Sequence, residues 1–196
     1  MTKPIVGVDV DGVLANLLST ARLIAKTEFG VDLDPDTLED WDFSYLFHPE
    51  DYKRFWAIMG SPSICRNLDP YPDAVTGLWK LSQVADVYIV TSHLQGSKQW
   101  VHERDEWLAE HFGIHHSRVL HTSAKHLFAG DMLIDDRPDN VLTWAKRHTG
   151  GIGVIWDRAY NRGFPVRSNI IRASDWGRVI EYINDYWELE DGLKAG

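Results

Sequence analysis

A chain of 196 residues with 44% hydrophobic and 25% charged residues is long enough to bury one substantial core and too apolar for a disordered protein. Its net charge of −9 argues against a general nucleic-acid groove, which depends on basic side chains neutralising phosphates. One cysteine, Cys65, excludes an internal disulfide; no apolar run has the length of a membrane span and no basic-then-apolar leader precedes the first predicted strand, so a soluble, cytoplasmic protein is expected.

Ile5-Val6-Gly7-Val8 crowds β-branched residues behind Pro4 and predicts a buried strand. Asp9, Asp11 and Gly12 sit where it ends, and ligands bind at the carboxyl ends of strands in an open parallel sheet. Residues two apart on an extended backbone point to one side, two close carboxylates repel, and a cation relieves that repulsion. Gly12 tolerates positive φ and lets its amide approach an anion. By itself the stretch reads equally as a nucleophile, an acid/base and a metal seat, or as a strand running into an acidic surface turn.

From Leu17 the spacing turns helical through Leu18, Ala21, Ile24, Ala25 and Phe29, with Gly30 as the stop. Asp34-Pro35 predicts a short helix through Glu39, and His48-Pro49 opens another through Phe55, Trp56 and Met59 before Gly60-Ser61-Pro62-Ser63 breaks the chain. Residues 16–69 thus read as a small helical insert after the first strand. Pro72 is placed to open a helix through Leu81, and Val84 to Val90 predicts the second strand, ending at Thr91-Ser92-His93. A helix over 97–112, a short strand over 118–121, a brief helix at Lys125 and a strand over 131–134 ending in Asp135-Asp136-Arg137-Pro138 follow. Pro138 starts a helix through Ala145, Ile152 to Trp156 form a fifth strand, and 157–170 read as a loop. The last helix, capped by Ser174, carries Trp176, Val179, Ile180, Ile183 and Trp187 on one face. Strands alternating with helices imply right-handed crossovers and a three-layer α/β domain with a parallel sheet.

Asp-x-Asp-Gly-Val, then Thr91-Ser92, then Lys125, then Asp135-Asp136 occur in an order that resembles the haloacid dehalogenase (HAD) superfamily of phosphatases. Leu133 to Pro138, the insert after the first strand, Trp156-Asp157-Arg158-Ala159-Tyr160-Asn161 and Asp175-Trp176 further resemble the 5'(3')-deoxyribonucleotidase family over nearly the whole chain. The resemblance implies a Rossmann-like HAD core over 1–15 and 70–196 with a helical cap over 16–69. It implies a Mg²⁺-dependent phosphomonoesterase that dephosphorylates (deoxy)ribonucleoside monophosphates through an aspartyl-phosphate. Asp9 would be the nucleophile and Asp11 the acid and base. Mg²⁺ would be held by the Asp9 carboxylate, the Asp11 carbonyl and Asp136, with Asp135 orienting Asp136 or Lys125. Thr91, Ser92, Lys125 and Arg137 would contact substrate.

Two side chains carry competing readings. Lys125 taken singly is a solvated lysine, and Arg137 sits equally well at a helix start. Trp41, Phe43, Tyr45 and Phe47 alternate, so Trp41 or Phe43 stacks on a base or the set merely forms the cap's own core. Leu17, His93 and Gln95 depart from the family's usual phenylalanine, proline and lysine, residues that bear on substrate choice. A HAD phosphatase for another small phosphate ester is the alternative, and a non-catalytic binding module is disfavoured because Asp9 and Asp11 are both present. A small-molecule nucleoside monophosphate is the expected partner, with no nucleic-acid polymer and no membrane; a homodimer is left open.

Overall fold

A computed structural model of the chain describes residues 3–167 and 169–194, with side chains as far as 185. Six strands, β1 (Ile5–Val8), β2 (Asp86–Thr91), β3 (Val119–His121), β4 (Met132–Asp135), β5 (Ile152–Trp156) and β6 (Ile170–Ala173), form one sheet in the order β3-β2-β1-β4-β5-β6. Every pairing is parallel. Among the described residues six α-helices accompany them: α1 (Leu17–Phe29), α2 (Pro49–Met59), α3 (Ala74–Val84), α4 (Trp100–Phe112), α5 (Pro138–Arg147) and α6 (Trp176–Lys194).

Side-chain alternation along the strands sorts the helices into layers. Val6 and Val8 face a core shared with Leu78 and Leu81 of α3, Trp107 and Leu108 of α4, and Val179 and Ile183 of α6. Leu133 of β4 and Ile155 of β5 face the other way, against Val141 and Trp144 of α5. Gly7 also turns to that second face, where a Cβ would lie 2.6 Å from the Phe128 ring. The result is the expected α/β arrangement of three layers. A third apolar cluster draws its buried members from residues 21–59, among them Ala21, Leu33, Phe43, Phe55 and Met59.

Five local expectations need correction. Asp34-Pro35 starts only a turn over 35–37, because the Thr37 and Leu38 amides both donate to the Asp34 carbonyl while Asp34 Oδ1 accepts from the Asp36 amide. The stretch read as loop to 170 gives way to β6, paired with β5 and missed because Arg172 interrupts a run of only four residues. Asp175, rather than Ser174, caps α6, its Oδ1 accepting from the Arg178 amide at 3.0 Å. Two helices start later than expected, α3 at Ala74 and α4 at Trp100, and α3 runs through Val84, so that β2 begins only at Asp86. Trp187 of the expected helix face lies outside the described side chains.

The α3 to α6 contact depends on a residue without a side chain. A Cβ on Gly77 would fall 2.1 Å from the buried Trp176 ring. In an open helix Gly→Ala stabilises by about 0.8–1.0 kcal/mol. Here Gly77→Ala is expected to destabilise by about 1–3 kcal/mol through overpacking. Urea unfolding followed by circular dichroism measures it; an unchanged or raised midpoint would show that the two helices are not in close contact.

Candidate active site

The site begins where β1 ends. Beyond Val8 the backbone stops being a strand, and the amides of Val13, Leu14 and Ala15 converge on the Val10 carbonyl, closing a tight turn. Gly12 takes φ +79° in that turn, and a Cβ there would meet Asp136 Oδ2 at 2.2 Å. Glycine is therefore required for conformation and for space. The turn leaves Asp9 and Asp11 lining one cavity, although Asp11 is no longer on the strand.

Direct pairing of β1 with β4 brings Asp9 beside Asp135 and Asp136, the Asp9 amide donating to the Ile134 carbonyl at 2.9 Å. Lys125, on a single helical turn before β4, places Nζ 2.7 Å from Asp9 Oδ2 and 2.8 Å from Asp135 Oδ2. Asp135 also accepts from the Arg137 amide at 2.8 Å and from Asn140 Nδ2 at 3.0 and 3.2 Å. Asp9 Oδ1 accepts from the Val10 amide at 2.7 Å. Asp136 receives the Tyr160 hydroxyl on Oδ2, while its carbonyl accepts from Asn161 Nδ2 at 2.7 Å. Asp11 Oδ1 is 2.7 Å from Arg104 Nη2 on α4.

Burial dominates the electrostatics. It lifts the Asp9 carboxyl well above the usual range against the opposing pull of Lys125, and the neighbouring acids lift it further. Asp136 is pushed up to about 7, first by burial and then by Asp135. Burial also works against the charge on Lys125, yet Asp135 and Asp9 outweigh it and hold the ammonium above its ordinary value. Asp9, Asp135 and Asp136, all buried, offer carboxylate oxygens within 4.8 Å of one another. Such an oxygen-only donor set with excess negative charge suits a hard divalent ion. Asp135 accepts from Lys125, the Arg137 amide and Asn140, Asp9 meets the Val10 amide on Oδ1 and Lys125 on Oδ2, and Asp136 accepts from Tyr160 on one oxygen, so Asp135 is the most heavily engaged of the three acids that could hold a metal. Among the described residues, the Asp11 carbonyl accepts none of the hydrogen bonds that close the turn, which leaves it free for the same purpose.

The cavity above these groups has a volume of about 230 Å³. Asp9, Asp11, Gly12, Lys125 and Asp136 line one part, Ser92, His93, Asn140 and Arg137 another, and Leu17, Leu18, Leu38, Phe43, Trp56 and Leu94 supply apolar wall. Thr91 is fully buried and does not line the cavity; Ser92 does. Trp41 lines it and stacks on Arg137, whose guanidinium carbon lies 3.4 Å from the ring centroid. Phe43 is buried in the third apolar cluster, stacked at 5.9 Å on Trp56, so it packs as core while also meeting the cavity.

Arg104, Asn140 and Tyr160 join the site with no role assigned from sequence. Arg104 stands in an ordinary-looking charged helix between Glu103 and Asp105, so nothing local marks it. Tyr160 sits in a loop braced by Arg172, whose Nη1 is 3.1 Å from Asp157 Oδ1 and 2.6 Å from Asn161 Oδ1. The arginine that obscured β6 therefore holds the loop that supplies Tyr160.

Comparison with known proteins adds an independent line. The family model described as 5' nucleotidase, deoxy (pyrimidine), cytosolic type C matches residues 3–186. The 5'(3')-deoxyribonucleotidase of Clostridium acetobutylicum is 29% identical over 179 residues, covering 90% of this chain and 92% of that protein. The mitochondrial 5'(3')-deoxyribonucleotidase of Mus musculus is 28% identical over 189 residues, covering 89% of this chain and 84% of that protein. A haloacid dehalogenase-like family hydrolase from Streptococcus pneumoniae superimposes with a TM-score of 0.56 at 18% identity, over 92% of this chain and 98% of that one, which shows a shared fold.

Lys125→Met keeps the length and removes the charge, leaving three buried carboxylates without a cation. Breaking such a buried pair is expected to cost about 3–5 kcal/mol in the metal-free protein. Urea unfolding at pH 8 tests this; an unaltered midpoint would mean that the ion cluster contributes nothing to the fold.

Proposed function

The chain belongs to the 5' nucleotidase, deoxy (pyrimidine), cytosolic type C family and is a hydrolase with the haloacid dehalogenase fold, and from that premise we propose that it removes phosphate from deoxyribonucleoside monophosphates through an aspartyl-phosphate on Asp9. The observation that carries this reading is Lys125 held between Asp9 and Asp135 in a buried pocket at the carboxyl ends of β1 and β4.

In the first step an Asp9 carboxylate oxygen bonds to phosphorus while the bond from phosphorus to the nucleoside oxygen breaks. Asp11, protonated, gives its proton to that departing oxygen. In the second step Asp11 takes a proton from water as the water oxygen attacks phosphorus, releasing phosphate and restoring Asp9. Lys125 and Ser92 face the phosphoryl oxygens and offset their charge. Asp135 takes no part in bond making; it fixes Lys125 through a 2.8 Å contact and Arg137 through its amide. Mg²⁺ fits the Asp9 and Asp136 carboxylates with the Asp11 carbonyl, and when bound it supplies positive charge to the transferring phosphoryl group.

Residues 16–69 act in this reading as a cap over the core formed by 1–15 and 70–196, excluding water from the cavity. Trp41 and Arg137 meet the sugar or base at its edge, and the apolar wall from Leu17 to Leu94 accepts the uncharged part of the nucleoside. A walled cavity of about 230 Å³ favours a small molecule over a polymer.

Asp9→Asn is expected to lower kcat on thymidine 5'-monophosphate by at least about 10³-fold, since removing a covalent nucleophile can cost as much as about 10⁶-fold. Its melting temperature should remain within a few degrees of the parent. Turnover near the parent rate would refute the nucleophile assignment. Excess chelator is expected to abolish phosphate release and added Mg²⁺ to restore it, followed by inorganic phosphate assay; full activity with chelator present would remove the metal from the scheme.

A further inference from the structure

Arg104 is, among the described residues, the one arginine with no solvent exposure at all. Its Nη2 donates to Asp11 Oδ1 at 2.7 Å, whereas Nε and Nη1 have no hydrogen-bond partner. The guanidinium otherwise lies against Trp100 and Trp107, its carbon 5.3 and 5.5 Å from their ring centroids. Burying a guanidinium is costly, and an apolar side chain of similar volume would fill this space without leaving donors unpaired. Stability alone therefore does not account for an arginine here. What it obtains is one oxygen of Asp11, a side chain that itself remains 25% exposed and lines the cavity.

The donor inventory of arginine decides what that contact does. A guanidinium has N–H donors and no acceptor, and the carbonyl oxygen of a protonated carboxyl accepts better than its hydroxyl oxygen, so the oxygen that the arginine holds is the less favourable place for a proton. With Oδ1 engaged by Arg104, a proton on the Asp11 carboxyl is favoured on Oδ2. We propose that Arg104 is a positioning residue for leaving-group protonation, clamping Asp11 by Oδ1 so that Oδ2 carries the transferable proton. This inference rests on the reading of Asp11 as the acid and base. As Asp9 bonds to phosphorus, the electron pair of the breaking bond goes to the nucleoside oxygen, which takes the Oδ2 proton. Asp11 is left as a carboxylate, its new charge 2.7 Å from a cation already in place. In the reverse role Oδ2 receives the proton of the attacking water.

Leaving-group dependence tests this, because a merely structural arginine would affect all substrates alike. First-turnover release of thymidine from its 5'-monophosphate, which needs protonation, is compared with release of p-nitrophenol from p-nitrophenyl phosphate, which does not. In Arg104→Met, thymidine release is expected to slow at least about tenfold more than p-nitrophenol release, a part of the roughly 10²–10⁴-fold that a general acid contributes, because Asp11 itself is still present. Arg104→Lys keeps the buried charge and serves if the methionine variant fails to fold; it should show the same selective loss, to a smaller degree. Equal slowing of both substrates in the variants that fold would overturn the proposal. Asp11→Asn separates the two levels of inference. If it too spares thymidine release, the acid/base reading of Asp11 fails; if it is selective and the Arg104 variants are not, only the role of Arg104 fails.

Discussion

Three buried carboxylates around one ammonium form the constraint on which the rest of this molecule depends. Two unit charges about 4 Å apart interact by about 4 kcal/mol even at an effective dielectric near 20. Asp9, Asp135 and Asp136 therefore cannot be gathered without Lys125, and Lys125 could not be buried without them. Their convergence follows from pairing β1 directly with β4, which places the end of one strand beside the end of the other in the middle of the sheet. Crossovers that separate these strands by more than a hundred residues are the topological cost of putting the acids next to each other.

Each acid has a defined orientation because one of its oxygens is already held. The Val10 amide takes Asp9 Oδ1, Arg104 takes Asp11 Oδ1, and the Tyr160 hydroxyl takes Asp136 Oδ2. The donors come from the adjacent turn, from α4 and from the loop after β5. Such fixed donors and acceptors need no reorganisation when charge moves, which is how a preorganised site favours a transition state. Arg172, Asn161 and Asn140 do the corresponding work one layer out, holding the loop and the Asp135 side chain.

The segment between β1 and α3 contributes differently. Its aromatic residues pack mainly on each other: Phe43, Phe47, Phe55 and Trp56 have ring centroids 5.2–6.4 Å apart in successive pairs. Trp41 stands apart, 37% exposed and stacked on Arg137, a residue beside the paired acids. The stack joins this segment to the end of β4 by a contact that exchanges aromatic area for guanidinium area.

Much of the architecture is written in short-range pattern. Runs such as Ile5 to Val8 and Ile152 to Trp156 read as strands from their short length and β-branched residues, their polar ends mark one edge of a parallel sheet, and Asp9, Asp11, Asp135, Asp136 and Lys125 lie at or near those ends. Apolar period and strand-end polarity are properties of neighbours in the chain, so they survive without a structure. Contacts between distant elements do not: Arg104 meets Asp11 across 93 residues and Tyr160 meets Asp136 across 24. Neither side chain differs locally from any solvated arginine or tyrosine, and β6 exists only because β5 offers it an edge. The amino-acid order by itself determined which groups carry the charge and the fold class that collects them. Tertiary structure alone decided which partner holds each oxygen, because burial and direction are created only when the sheet closes over the side chains.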